Sequence, residues 1–149
     1  MTMREIFNTP WGNQKVFVIN EQATVKILEV EPNQALSFQY HMKRNESWFI
    51  LKGSGTITID DRKIFASEGE HYYIPVFARH TVEASEDGIS ILEYVTDLFD
   101  PSDIVRISDK YGRATDKTDA PASGTVAQVD KDNNCKFNCT GCTCNDDAI

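Results

Sequence analysis

The residues best equipped for chemistry in this chain are few. Gln39, His41 and Glu46 follow one another in the order Gln-x-His-x-x-x-x-Glu, and His80 closes the later run Gly69-Glu-His-Tyr-Tyr-Ile-Pro75-Val-Phe-Ala-Arg-His80. The remaining histidine is His71. Side chains alternate across a strand, so Gln39 and His41 share a face if Ala35 to His41 is extended. Glu46, past a turn and at the mouth of the next strand, can swing back to the same point. Two imidazoles, one carboxylate and one amide oxygen suit a single divalent ion (Zn, Mn, Fe or Ni), with positions left for water or substrate. Taken singly, each residue also has a structural role open to it: a satisfied core histidine, a hydrogen-bonded glutamine, a glutamate capping a turn.

Positioning such a set requires strands. Val16-Phe17-Val18-Ile19, Thr24 to Val30, Ala35 to His41, Ser47 to Leu51, Thr56 to Ile59, Lys63-Ile64-Phe65, His71 to Ile74, His80 to Glu83 and Ile89 to Val95 are rich in β-branched or aromatic residues. Turn signals separate most of them: Asn20-Glu21, Glu31-Pro32-Asn33, Lys52-Gly53-Ser54-Gly55, Asp60-Asp61, Glu68-Gly69 and Glu86-Asp87-Gly88. Helical periodicity is missing. The expectation is an all-β sandwich or barrel, whose closure removes exposed sheet edges. Asp97 to Arg113 reads as an arm laid back over the barrel, with one helical turn started by Ser102 or Asp103. The domain is expected over residues 1–113. Residues 114–149 are rich in Thr, Asp, Ala, Ser, Gly, Asn and Lys, with a brief apolar interlude at Thr125 to Val129, and read as a disordered tail.

A chain of 149 residues allows one domain with a proper core. Its net charge of −8 argues against nucleic acid as a partner, while a local cluster of Lys and Arg can still take a small phosphorylated substrate. No apolar run is long enough to cross a bilayer, so no membrane partner is expected. Met-Thr-Met-Arg-Glu-Ile-Phe lacks the pattern of a signal peptide, and a cytoplasmic location is the expectation. All four cysteines follow residue 134, so the body uses neither disulfides nor thiol chemistry. Cys135-x-x-x-Cys139-x-x-Cys142-x-Cys144 is dense enough to bind one thiophilic ion, and a redox-labile tail is the alternative.

Residues 10 to 113 resemble the stand-alone cupins related to mannose-6-phosphate isomerase, and the isomerase domain that ends the bifunctional phosphomannose isomerase/mannose-1-phosphate guanylyltransferases. The resemblance rests on Pro10-Trp11-Gly12, on Leu36-Ser37-Phe38-Gln39-Tyr40-His41 leading to Glu46-Ser47-Trp48, on Ile74-Pro75 and on Arg79-His80. Its most specific part is Asp103-Ile104-Val105-Arg106 running to Asp109-Lys110-Tyr111-Gly112-Arg113. It implies a cupin jelly-roll barrel, a homodimer, and one divalent metal ion on Gln39, His41, Glu46 and His80. It also implies interconversion of fructose 6-phosphate and mannose 6-phosphate through an enediol. Departures from the pattern are Phe77 where the second cupin motif expects Gly, Ala84 where Asn is common, and Met42, Lys43 and Ser47 where the bifunctional enzymes tend to carry His.

Lys43 and Arg44 flank the ligands and are the candidates for holding a sugar phosphate. Lys43 continues the face of Gln39 and His41 if the strand persists that far, and Arg44 matches an Arg of the bifunctional domain. A solvated turn is the alternative for both. Lys26 and Glu93 face either the cavity as functional groups or each other as a structural pair. Trp48, Phe49 and Tyr73 read as core or cavity wall. The leading function is therefore a metal-dependent isomerase of the mannose 6-phosphate type. Its rivals are a non-catalytic sugar- or nucleotide-sugar-binding cupin and a metal-dependent dioxygenase.

Overall fold

The computed structural model describes residues 5–96, 98–114 and 128–129. Among the described residues ten strands run in chain order: β1 (Glu5–Thr9), β2 (Gly12–Val16), β3 (Thr24–Val30), β4 (Phe38–Tyr40), β5 (Glu46–Ile59), β6 (Arg62–Ser67), β7 (His71–Ile74), β8 (His80–Val95), β9 (Val105–Ser108) and β10 (Gln128–Val129). β1 and β2 form a separate hairpin. The other eight join in the order β10-β7-β5-β8-β4-β9, with β3 on β8 and β6 on β5, and every pairing is antiparallel. The fold is an all-β cupin jelly roll.

β5 and β8 are the spine. They pair from Ser47↔Tyr94 to Ile59↔His80, with register shifts between Ile50 and Lys52 and between Gly53 and Gly55. The glycine clusters expected to end strands instead bend two long ones. Gly53 and Gly88 adopt φ values of +79° and +75°. A Cβ on Gly53 would lie 2.2 Å from the Gly88 carbonyl oxygen, so only glycine lets the two backbones meet there. The bend divides the ribbon between two halves of the eight-stranded sheet. The first half of β5 lies with β7, the second half of β8 and β3. Its second half lies with β6 and the first half of β8, which continues to β4 and β9.

Alternation turns Trp48, Ile50, Ile57, Ile59, Val82 and Ile91 inward, and all six are fully buried. Burial of each contributes roughly 1.5–3 kcal/mol relative to exposure. On the opposite face Phe17 packs against Phe49 and Tyr94 at 5.1 and 5.9 Å between ring centroids, which anchors the chain leaving the β1–β2 hairpin. The strand expected at Val16 to Ile19 therefore does not form: the hairpin ends at Val16 and Phe17 becomes an anchor. The helical turn expected at Ser102 or Asp103 is also absent. Asp100 accepts from the Ser102 backbone and hydroxyl and its carbonyl takes the Asp103 N–H, giving a tight turn that leads directly into β9. Of the segment read as a tail, Gln128 and Val129 add a short strand beside Tyr72 and His71. The cysteines lie outside the described residues.

Candidate metal centre

Three of the four expected ligands converge in the barrel interior. His41 follows β4, Glu46 opens β5 and His80 opens β8. One ligand atom from each lies within 4.8 Å of the others, and the three residues are at most 2 % exposed. His41 Nε2 is 2.9 Å from Glu46 Oε1, and His80 Nε2 is 3.5 Å from Glu46 Oε2.

Each imidazole is oriented from behind. The His41 Nδ1–H donates to the Asp103 carbonyl at 2.5 Å, and the His80 Nδ1–H donates to the Ala78 carbonyl at 2.8 Å. Both rings thus present Nε2 to Glu46, the arrangement that makes histidine a good metal ligand. The Trp48 ring stands edge-on to His80, 5.5 Å between centroids. The loop carrying Phe77 is tied to the same place, because the Phe77 N–H donates to the His41 carbonyl at 2.7 Å with φ at +66°. The glycine expected at this position would adopt that conformation without strain.

The residues fit a divalent ion. His80 Nε2 and Glu46 Oε2 are buried without a hydrogen-bond partner, a costly condition that coordination would relieve. Two imidazoles and a carboxylate also match the donor preference of borderline divalent metals. Burial pushes the Glu46 carboxyl up, but the His41 and His80 imidazoles that face it outweigh that and hold the group well below the usual glutamate range.

Gln39 reaches the same wall, backbone-paired with His80 and Arg106, but its Oε1 accepts the Ser37 hydroxyl at 2.5 Å. Lys43 does not continue the face of Gln39 and His41. β4 stops at Tyr40, and the Lys43 side chain is 67 % exposed, 3.8 Å from Asp100. Arg44 is buried instead. Its Nε donates to Glu46 Oε1 at 3.0 Å, Nη2 lies 3.3 Å from His41 Nε2, and Nη1 donates to the carbonyls of Asp103 and Asp100. The guanidinium thus touches two of the three ligand atoms and must yield them to a bound ion. Met42 is exposed and Ser47 points to the face opposite Glu46, so two of the departures from the family pattern lie away from the triad.

Beside the triad lies a cavity of about 260 Å³ that Gln39, Arg44 and Glu46 share with Lys26, Glu93, Phe99, Arg106 and Arg113. Lys26 and Glu93 are opposite one another in the β3–β8 register and form an ion pair at its wall. A larger groove of about 400 Å³, lined by Thr56, Thr58, Lys63, Thr81 and Glu83 among others, shares no residue with the triad. No site role was expected of Asp103, Arg106 or Arg113, although the closing motif that contains them was the available signal. His71 is absent from the centre and hydrogen-bonds the Tyr94 hydroxyl at 3.0 Å.

The family model for the C-terminal region of mannose-6-phosphate isomerase matches residues 1–109. A mannose-1-phosphate guanylyltransferase from Salmonella montevideo is 36 % identical over 115 residues, 76 % of this chain and 24 % of that protein. The alginate biosynthesis protein AlgA of Pseudomonas aeruginosa is 30 % identical over 120 residues, 79 % of this chain and 24 % of that protein. The chain therefore spans about a quarter of the length of these relatives. Among solved structures, oxalate decarboxylase from Bacillus subtilis superposes with a TM-score of 0.54 at 23 % identity, covering 64 % of this chain and 26 % of that one. The coconut allergen cocosin gives 0.54 at 14 % identity, covering 60 % and 24 %. These two likenesses concern the fold.

Proposed function

Since the chain belongs to the family of the mannose-6-phosphate isomerase C-terminal domain, we propose that it is a metal-dependent cupin acting on a phosphorylated sugar by aldose–ketose isomerisation of the mannose 6-phosphate type. The observation that carries this reading is the junction of the buried triad with a cavity bearing four cationic side chains, Lys26, Arg44, Arg106 and Arg113, against two carboxylates, Glu46 and Glu93. A phosphate and a polyhydroxylated chain fit such a wall better than an apolar ligand would.

His41, Glu46 and His80 would hold the ion, with Gln39 as the fourth candidate ligand. A bound divalent ion supplies Lewis acidity toward the sugar's carbonyl and hydroxyl oxygens. Arg44, stacked 5.0 Å from the Phe99 ring, and the two arginines of the closing motif hold the phosphate. Glu93 is buried with Lys26 at the cavity wall and is the candidate base. From mannose 6-phosphate to fructose 6-phosphate the carbon-bound proton passes from C2 to C1 and the hydroxyl proton from O2 to O1, and the Glu93 carboxylate beside Lys26 is placed to carry the first.

The test is a coupled assay on mannose 6-phosphate with the protein's metal content measured on the same sample. Turnover that disappears in Glu93→Gln with the metal retained supports the reading. Background turnover at full metal loading overturns it, and saccharide binding under those conditions favours the non-catalytic cupin.

A further inference from the structure

We propose that Asp103 is a positioning residue of the metal centre, through which the arm beyond the barrel sets the His41 ring and the turn bearing Arg44. The inference rests on the reading of His41, Glu46 and His80 as ligands.

The turn from His41 to Asn45 joins β4 to β5 outside the strand ladders, so its backbone amides need partners from elsewhere. Asp103 supplies them from 60 residues away. One carboxylate oxygen accepts the Met42 N–H at 2.9 Å and the other accepts the Lys43 N–H at 3.1 Å. Its carbonyl takes both the His41 Nδ1–H at 2.5 Å and Arg44 Nη1 at 2.7 Å, and its Oδ2 lies 3.7 Å from that same Nη1. The residue is 7 % exposed. A single side chain and its own carbonyl thereby fix where the turn sits, which tautomer His41 adopts and which way Arg44 lies. The two functions are joined: if the carboxylate releases the turn, the His41 ring moves off the carbonyl that orients it. Groups that orient a ligating histidine typically matter 10- to 100-fold in metal affinity. No comparable clasp from a distant segment holds His80 among the described contacts, since Ala78 is only two residues away.

The experiment compares full-length wild type with Asp103→Asn and Asp103→Ala. Mn(II) is the probe, as a hard ion that avoids the four cysteine thiolates, and binding is followed by isothermal titration. Nitrogen-15 spectra of the metal-free protein report the tautomers of His41 and His80. The expected result is Mn(II) affinity lowered about 10- to 100-fold in Asp103→Ala and less in Asp103→Asn, which keeps one acceptor for the turn. His41 should lose its pure Nδ1–H form in Asp103→Ala while His80 keeps it. Wild-type affinity with an unchanged His41 tautomer, even at lowered thermal stability, overturns the proposal and leaves Asp103 a clamp of the fold. If the alanine variant does not fold, the same two readouts on Asp103→Asn decide. If wild type itself binds no Mn(II), the metal reading fails, and the tautomer of His41, read without any ion, still decides whether Asp103 positions the ring.

Discussion

Glu46 accepts a hydrogen bond from Arg44 and faces both imidazoles of the triad, 2.9 and 3.5 Å away, while almost wholly removed from water. Burial opposes its ionisation, and the facing imidazoles of His41 and His80 overcome that opposition, leaving the carboxyl well below the usual value of 4.5. A depressed carboxyl contributes stability that is present in full above its unfolded value and is lost as pH falls through its folded value. Thermal midpoints measured in EDTA should accordingly fall away below about pH 4.5, and Glu46→Gln should flatten that acid limb. Parallel acid limbs in the two proteins would show that the carboxylate is not what titrates. At this scale the meeting of His41 with Glu46 was legible because the motif is local, whereas Gln39, two positions before His41, is hydrogen-bonded to Ser37. Asp103, Arg106 and Arg113 were not, because nothing in the spacing of residues some 60 positions apart says that they meet.

Strand identity was legible for β3, β6 and β7, where β-branched and aromatic residues run between turn signals. It failed at Lys52 to Gly55 and at Glu86 to Gly88, where turn chemistry produces bends within continuous strands because each backbone leans on the other. That mutual contact predicts a contrast between glycines. Gly53→Ala must drive a Cβ into the Gly88 carbonyl at an unfavourable φ, whereas Gly112, at φ +74°, has nothing within 4 Å of its added Cβ. In urea unfolding Gly112→Ala should cost about 1–2 kcal/mol, the left-handed penalty alone. Gly53→Ala should cost at least ~1 kcal/mol more. Equal losses would mean that the strands can part without penalty. Phe77 illustrates the opposite failure of sequence logic. A residue that disfavours φ of +66° occupies the place expected for glycine, and the hydrogen bond from its N–H to His41 helps to hold it there.

Viewed whole, the barrel brings each candidate ligand from a different segment. Glu46 belongs to the sheet half with β7 and β3, while His80 and the strand before His41 belong to the half with β9. Fold class was readable because an alternating pattern repeats along the body, but this meeting of halves depends on the bend in β5 and β8. The consequence is kinetic. Long-range antiparallel pairing must be complete before three donors exist at one point, so an ion has nothing to grip early on the folding pathway. A bound ion would act as a late staple across the finished barrel. Stopped-flow measurements with and without Mn(II) should therefore show nearly unchanged refolding and slower unfolding, the partition expected of contacts absent from the transition state. Faster refolding in Mn(II) would place the centre in the nucleus instead. On this view an ion held there would govern how long the barrel stays closed, and the bent ribbon of β5 and β8 governs whether it closes at all.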